Sequence, residues 1–253
     1  MKNYMDLTGR VAVVTGASSG LGYAFSKALA ENGAKVAAFA RRMDKLNALK
    51  EDIEAAGGEC LPVVCDVTDE ANIVAAVQQV VDHFGKIDIL VNNAGYMKVC
   101  PTVDFPLVES QKVVDTSITA YFLMAREVGK TMIENKYGRI INIASMYGLR
   151  ASVTGPIPGY WASKGAIPQL TRGWAWEFAP YNITVNSIAP GFFLTELMPG
   201  SDDTYHQLVD SLIPLKRIGH PEEMDGLVQL LASDGAAYIT GQTIPIDGGK
   251  TAI

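Results

Sequence analysis

Seven short apolar runs, separated by stretches of helical periodicity, constrain this chain more than any other feature. "RVAVVTG" (10–16), "AKVAAFA" (34–40), "CLPVVCDV" (60–67), "IDILVNNAG" (87–95), "GRIINIAS" (138–145), "NITVNSIAP" (182–190) and "QTIPID" (242–247) read as strands. Between them, 21–33, 44–58, 69–85, 107–135, 160–179 and 221–233 carry helical patterns, several closed by glycine. Strands that are apolar throughout need cover on both faces. Alternating with helices, they imply a parallel sheet between two helical layers. No linker or repeat interrupts the pattern, so the expectation is α/β: one doubly wound domain over 1–253 with a mostly seven-stranded parallel sheet. In such sheets a ligand sits beyond the carboxyl ends of the strands, at the switch point. The loops after the strands therefore carry the chemistry.

Composition narrows the classes. The chain has 253 residues, 48% hydrophobic and 19% charged, enough for a large core. A net charge of -6 and no basic stripe beyond "ARRMDK" argue against a nucleic-acid partner. The start, "MKNYMDLTGR", has no apolar h-region, and no run of about 18 apolar residues exists, so neither a signal peptide nor a membrane span is expected. Cys60, Cys65 and Cys100 fit no zinc pattern and read as small hydrophobes in a reducing, cytoplasmic setting. His83, His206 and His220 are scattered, and no metal is expected.

"TGASSGLG" (15–22) follows the first strand and opens a helix. Gly16, Gly20 and Gly22 permit a tight turn and close backbone approach. The helix N-terminus, with Ser18, Ser19 and Leu21 around it, offers free N–H groups to a pyrophosphate. A dinucleotide site usually ends its second strand with an acid that binds the ribose hydroxyls; here Ala40 is followed by Arg41 and Arg42. Arg41 is suited to a 2′-phosphate, so NADP(H) is expected over NAD(H), which stays open. Asp66, beside Val67, is placed to meet the adenine amino group. Asn92, Asn93, Ala94 and Gly95 can pack on the adenosine side; the two asparagines fit a structural role equally well.

"PGYWASKGAI" puts Tyr160 and Lys164 on one helix face. A free phenol titrates near 10, too high for acid–base work at neutral pH. A neighbouring ammonium favours the phenolate and is expected to lower that value. Lys164 would also reach the nicotinamide ribose. Ser145, ending the fifth strand, can orient a substrate oxygen.

With these motifs in order ("TGASSGLG", "NNAG", "IAS", "YWASK", "APG" and the C-terminal "DGG"), the chain resembles the classical short-chain dehydrogenase/reductase family over essentially its whole length. The resemblance implies a Rossmann domain, NAD(P)-dependent hydride transfer to or from an alcohol or ketone, and a homotetramer associating through the helices at 107 and "YWASK". It implies that Tyr160 is the general acid–base, Lys164 its partner and Ser145 the ligand of the substrate oxygen. Pro190, Gly191, the Phe193 backbone and Thr195 would hold the nicotinamide amide. There are two departures. Ser117, in "SITAYFL", stands where the family carries an active-site asparagine that holds a water beside the lysine. The 145–160 segment is also slightly longer than usual.

The segment 192–220 corresponds to the family's mobile lid. Phe192, Leu197 and Met198, with Met97, Tyr147 and Trp161, are candidate walls of a substrate pocket, and Lys98 and Arg150 candidate partners for a carboxylate. "GRIINIASMYG" and "APYNITVNSIAPGFFLTEL" look like the gluconate 5-dehydrogenase branch, which implies a sugar-acid or polyol substrate. A hydroxysteroid or 3-oxoacyl thioester is the alternative, and a non-catalytic dinucleotide sensor the alternative of another class.

Overall fold

The structure, a computed structural model, describes residues 3–151, 155–195, 209 and 211–252. Seven parallel strands form one sheet: β1 (Val11–Thr15), β2 (Lys35–Ala40), β3 (Glu59–Val64), β4 (Ile89–Asn92), β5 (Gly138–Ile143), β6 (Ile183–Pro190) and β7 (Thr243–Ile246), in the order β3-β2-β1-β4-β5-β6-β7. The order reverses at β1 and β4, which pair directly (Val13 with Leu90), so the switch point lies between their carboxyl ends.

Successive residues of a strand point to opposite faces, and the core divides accordingly. Val11, Val13 and Phe39 face α3 (Glu70–Phe84), α5 (Ala120–Asn135) and α6 (Pro158–Phe178). Ala12, Val14 and Val36 face α1 (Gly20–Glu31), α2 (Met43–Ala55) and α7 (Asp225–Ala232). β1 and β4–β6 are buried along their whole length. The expectation of strands apolar throughout holds there but not at the edge: β3 exposes Glu59 and Val64.

The region 107–135 is not one uninterrupted α-helix. α4 (Leu107–Val114) passes through a π turn at Asp115–Thr119 before α5 begins. A π turn accommodates an extra residue within a helix and is frequent at functional sites. This one buries Ser117. No helix among the described residues is long and apolar enough to cross a membrane.

Candidate active site

The glycine loop is shaped by contacts that leave no space for side chains. Gly16 has φ +68°, and a Cβ there would lie 3.0 Å from Ala94 Cα. At Gly22 a Cβ would sit 2.4 Å from the Gly16 carbonyl oxygen. From the far side the Thr15 hydroxyl accepts the Asn93 and Ala94 N–H groups at 2.9 and 3.1 Å, and Asn93 Nδ2 donates to the Thr15 carbonyl at 2.9 Å. The two loops at the switch point are thus sewn together. α3 begins with Asp69 capping the N–H groups of Ala71 and Asn72. α1 begins differently: Ser19 makes no side-chain cap and the first turn holds no acid. The helix start is therefore left without a side-chain cap, as an anion site requires.

Asn92 makes the structural contacts that the sequence leaves open for it. Its side chain is fully buried and donates from Nδ2 to Asn142 Oδ1 at 3.0 Å, while Asn142 Nδ2 donates to the Thr171 hydroxyl at 3.0 Å. It braces the sheet to α6.

Beyond β2 the two arginines separate. Arg42 crosses to the glycine loop and donates from Nη2 to Ser18 and Ser19, at 3.0 and 3.1 Å. Arg41 acts on Asp66: burial pushes that carboxyl up, but the Thr68 hydrogen bonds and the Arg41 charge outweigh it and hold Asp66 below its ordinary value. Arg42 is a candidate that no motif in the sequence marks. Its one signal there was its place next to Arg41.

At the ends of β5 and α6 the remaining candidates converge. Ser145 follows β5, caps the next turn through Tyr147 N–H (3.1 Å), and hydrogen-bonds the Tyr160 phenol. Lys164, one turn along α6, is 3% exposed. Its Nζ donates to the Ile143 carbonyl at 2.6 Å and to the Tyr121 hydroxyl at 3.5 Å. It lies 5.6 Å and 5.7 Å from the centroids of the Tyr121 and Tyr160 rings. Lys164 Nζ and Ser117 Oγ each lie 3.8 Å from where a Gly95 Cβ would be, so the three positions border one space. Ser117 Oγ is buried without a hydrogen-bond partner among the described residues.

The electrostatics differ from expectation in one respect. Burial pushes the Tyr160 phenol up; the Ser145 bond pulls it back, Tyr147 adds to the rise, and the net direction is up. Burial also lowers Lys164 to about 7. In this state low polarizability around both groups disfavours both charged forms, and the hydrogen bonds of Lys164 go to Ile143 and Tyr121 instead of Tyr160.

This geometry agrees with what the chain is similar to. A family model described as enoyl-(acyl carrier protein) reductase matches residues 16–251. A short-chain type dehydrogenase/reductase from Mycobacterium marinum superposes with a TM-score of 0.95 at 41% identity, covering 99% of this chain and 98% of that one. The chain belongs to the short-chain dehydrogenase/reductase family. A 3-oxoacyl-[acyl-carrier-protein] reductase of Synechocystis sp. is 39% identical, over 96% of this chain and 97% of its own length. A gluconate 5-dehydrogenase from Burkholderia cenocepacia, solved in complex with NADP and tartrate, is 32% identical with a TM-score of 0.93, covering 99% and 98%.

As a member of this family the chain is an oxidoreductase of alcohol and keto substrates, and the residues present fit a nicotinamide dinucleotide. The glycine cradle and the uncapped start of α1 suit a pyrophosphate, and the Ser117 hydroxyl beside Lys164 is a buried polar atom without a partner among the described residues. The far wall comes from the end of β6. A Cβ on Gly191 would lie 2.6 Å from Asp247 Cα, and Thr195 packs against Gly20, where an added Cβ would lie 3.6 Å from its Cβ. Pro190 pairs with Ile246 and Phe193 bridges to Gly219, so this oxidoreductase holds the chain beyond β6 over the glycine loop.

Past β5 and β6, Tyr147 and Phe192 meet edge to face at 6.1 Å, and Phe192 is buried against Met146, Ile213 and Ile218. Met97 and Lys98 are exposed. Arg150 is also exposed, and its Nη1 donates to the Lys250 carbonyl at 3.3 Å. Leu197 and Met198 lie outside the described residues, with 196–208 of the expected lid.

Proposed function

We propose that Tyr160, Lys164 and Ser145 carry an NADP(H)-preferring interconversion of a secondary alcohol and a ketone. The convergence of these three side chains beyond the sheet, beside the glycine loop, supports the reading. The bound nicotinamide supplies or accepts the hydride. In the reductive direction Tyr160 gives its phenolic proton to the ketone oxygen, which Ser145 orients. The Lys164 ammonium stabilises the phenolate left behind, and Ser117 lines the path by which Lys164 is reprotonated. Two cations at the end of β2, with Arg42 already donating to both loop serines, support a 2′-phosphate and so NADP(H); NAD(H) is the weaker partner.

The substrate we infer is a polyhydroxy acid of the gluconate/5-keto-gluconate kind. The relative solved with NADP and tartrate, a small hydroxy acid, supports this. A hydrophobic ketone, hydroxysteroid or 3-oxoacyl thioester, is the second reading. It is favoured by the Tyr147–Phe192 pair beside Tyr160 and by the resemblance to a 3-oxoacyl reductase. The reading takes the whole chain as one domain, with 192–220 covering the substrate. It takes the protein as a cytoplasmic homotetramer joined through α4, α5 and α6, where Leu107, Val108, Phe122 and Trp176 are exposed.

A cofactor-and-substrate matrix tests it. Absorbance at 340 nm would be followed with NADPH and NADH against 5-keto-gluconate, a steroid ketone, a 3-oxoacyl thioester and a diketone. Turnover of the keto acid with NADPH is the expected result. Turnover confined to the apolar ketones would replace the first substrate by the second. Silence on all four with the dinucleotide bound would favour a non-catalytic sensor.

A further inference from the structure

Tyr121 has no role assigned to it in "SITAYFL", yet its hydroxyl lies beside Lys164. The ring is 1% exposed on α5, four positions after Ser117. Three atoms form a closed triangle: Lys164 Nζ to Ile143 O at 2.6 Å, Tyr121 Oη to Ile143 O at 3.1 Å, and Lys164 Nζ to Tyr121 Oη at 3.5 Å. Chemistry fixes every direction in it. The carbonyl can only accept and the ammonium can only donate. Tyr121 therefore spends its single proton on Ile143 and turns a lone pair towards Lys164.

The buried ammonium needs acceptors for its N–H groups. Ile143 supplies one. Ser117 does not supply another, since its hydroxyl has no partner among the described residues. The carbonyl and the Tyr121 phenol hold Nζ on one side, leaving the side towards Gly95 for the dinucleotide and the side towards Tyr160 for the reaction.

We propose that Tyr121 is a positioning residue of this active site: with the Ile143 carbonyl, its phenol holds the Lys164 ammonium where Tyr160 uses it. The inference rests on the Tyr160–Lys164 reading above. The groups facing Lys164 are Tyr121 from α5, Tyr160 from α6 and Ser117 from the π turn. Burial is the cause of its lowered titration, with no carboxylate opposing it. Removing one acceptor makes the ammonium still less favourable, so the lysine loses its proton at lower pH.

The test is Tyr121→Phe, which keeps the ring and its packing and removes only the hydroxyl. In the reductive assay kcat falls about tenfold, the size of one hydrogen bond to a charged group, with KM for the ketone changed less than about twofold. The alkaline limb of the kcat profile moves to lower pH by about half a unit or more. Lysine labelled with 13C at Cε, titrated by NMR in the cofactor-free enzyme, gives the same shift for Lys164 without reference to activity. Unchanged kcat and an unmoved lysine titration overturn the proposal. A fall in kcat with a lowered melting temperature but an unmoved titration overturns it too, because Tyr121 is then only packing. Tyr160→Phe assayed in parallel separates the two claims. If it stays active, the underlying reading fails. If it is dead while Tyr121→Phe is unaltered, Tyr121 alone is dismissed.

Discussion

Lys164 donates its ammonium to the main chain: Nζ lies 2.6 Å from the carbonyl oxygen of Ile143. The contact holds a charge where burial opposes it, lowering the group from an ordinary 10.5 to about 7. A lysine depressed in the fold costs stability fully below its folded value. The cost fades as pH rises towards the unfolded one, because only the unfolded chain then holds the proton. Lys164→Met is therefore expected to lose at least about a hundredfold in kcat. At pH 7 it should gain about 2 kcal/mol of stability, net of the carbonyl left without its donor, and the gain should shrink towards pH 10. Denaturant melts at the two pH values check this. A variant less stable than the parent at pH 7 would show that the charge is not a burden.

With Tyr160 as the proposed proton donor to the reacting oxygen, Tyr160→Phe is expected to abolish turnover while changing dinucleotide affinity less than about threefold. Fluorescence titration with NADPH beside the rate assay separates the two effects. Retained turnover would remove Tyr160 from its role.

The two arginines beyond β2 should discriminate between dinucleotides. Arg41→Asp and Arg42→Ala are each expected to weaken NADPH by about ten- to a hundredfold and NADH by less than about threefold. Calorimetric Kd values for both dinucleotides decide it. Equal losses for both would show that neither guanidinium meets a 2′-phosphate. A loss confined to Arg41 would make Arg42 a support for the glycine loop.

Gly22→Ala tests the cradle. Its new Cβ would fall 2.4 Å from the Gly16 carbonyl oxygen, a backbone atom that cannot step aside without moving the loop. Dinucleotide binding should weaken by more than about tenfold while the rest of the sheet stays folded. Unaltered affinity would mean that the loop is not the pyrophosphate site.

Asp225, at the start of α7, gives a stability prediction away from the site. Burial raises its carboxyl to about 6; Glu31 and Glu222 push the same way and Lys27 opposes them, and Oδ1 is buried without a partner among the described residues. A raised acid is least costly when protonated, so the fold loses stability as pH rises from about 4 to about 6. Asp225→Asn should gain about 1 kcal/mol at pH 7.5, after allowance for solvent screening, and nothing at pH 4. Thermal melts at both pH values test the difference.

The parts written in the sequence were those set by local chemistry. Apolar period, glycine position and the spacing of Tyr160 and Lys164 need only their neighbours along the chain, and all seven strands and the convergence at the switch point follow from them. What was hidden depends on where a side chain turns in space. Arg41 and Arg42 are adjacent in sequence, yet the turn after β2 sends one to Asp66 and the other to Ser18. Asn92 ends its strand facing inward, which the motif alone does not say. Tyr121 is a core residue, and only the register of α5 against β5 and α6 brings its hydroxyl to Lys164. The burial that depresses Lys164 is a property of the packed molecule.

The π turn at Asp115–Thr119 makes α4 and α5 two halves of one rod set out of phase by a single residue. A residue in a helix turns by about 100°, so this offset fixes which face of α5 meets the sheet independently of the face α4 shows. Deleting one residue in the turn would rotate everything downstream and carry Tyr121 off the lysine. Within this family, gaps and insertions between 115 and 119 should therefore be far rarer than substitutions at the same positions.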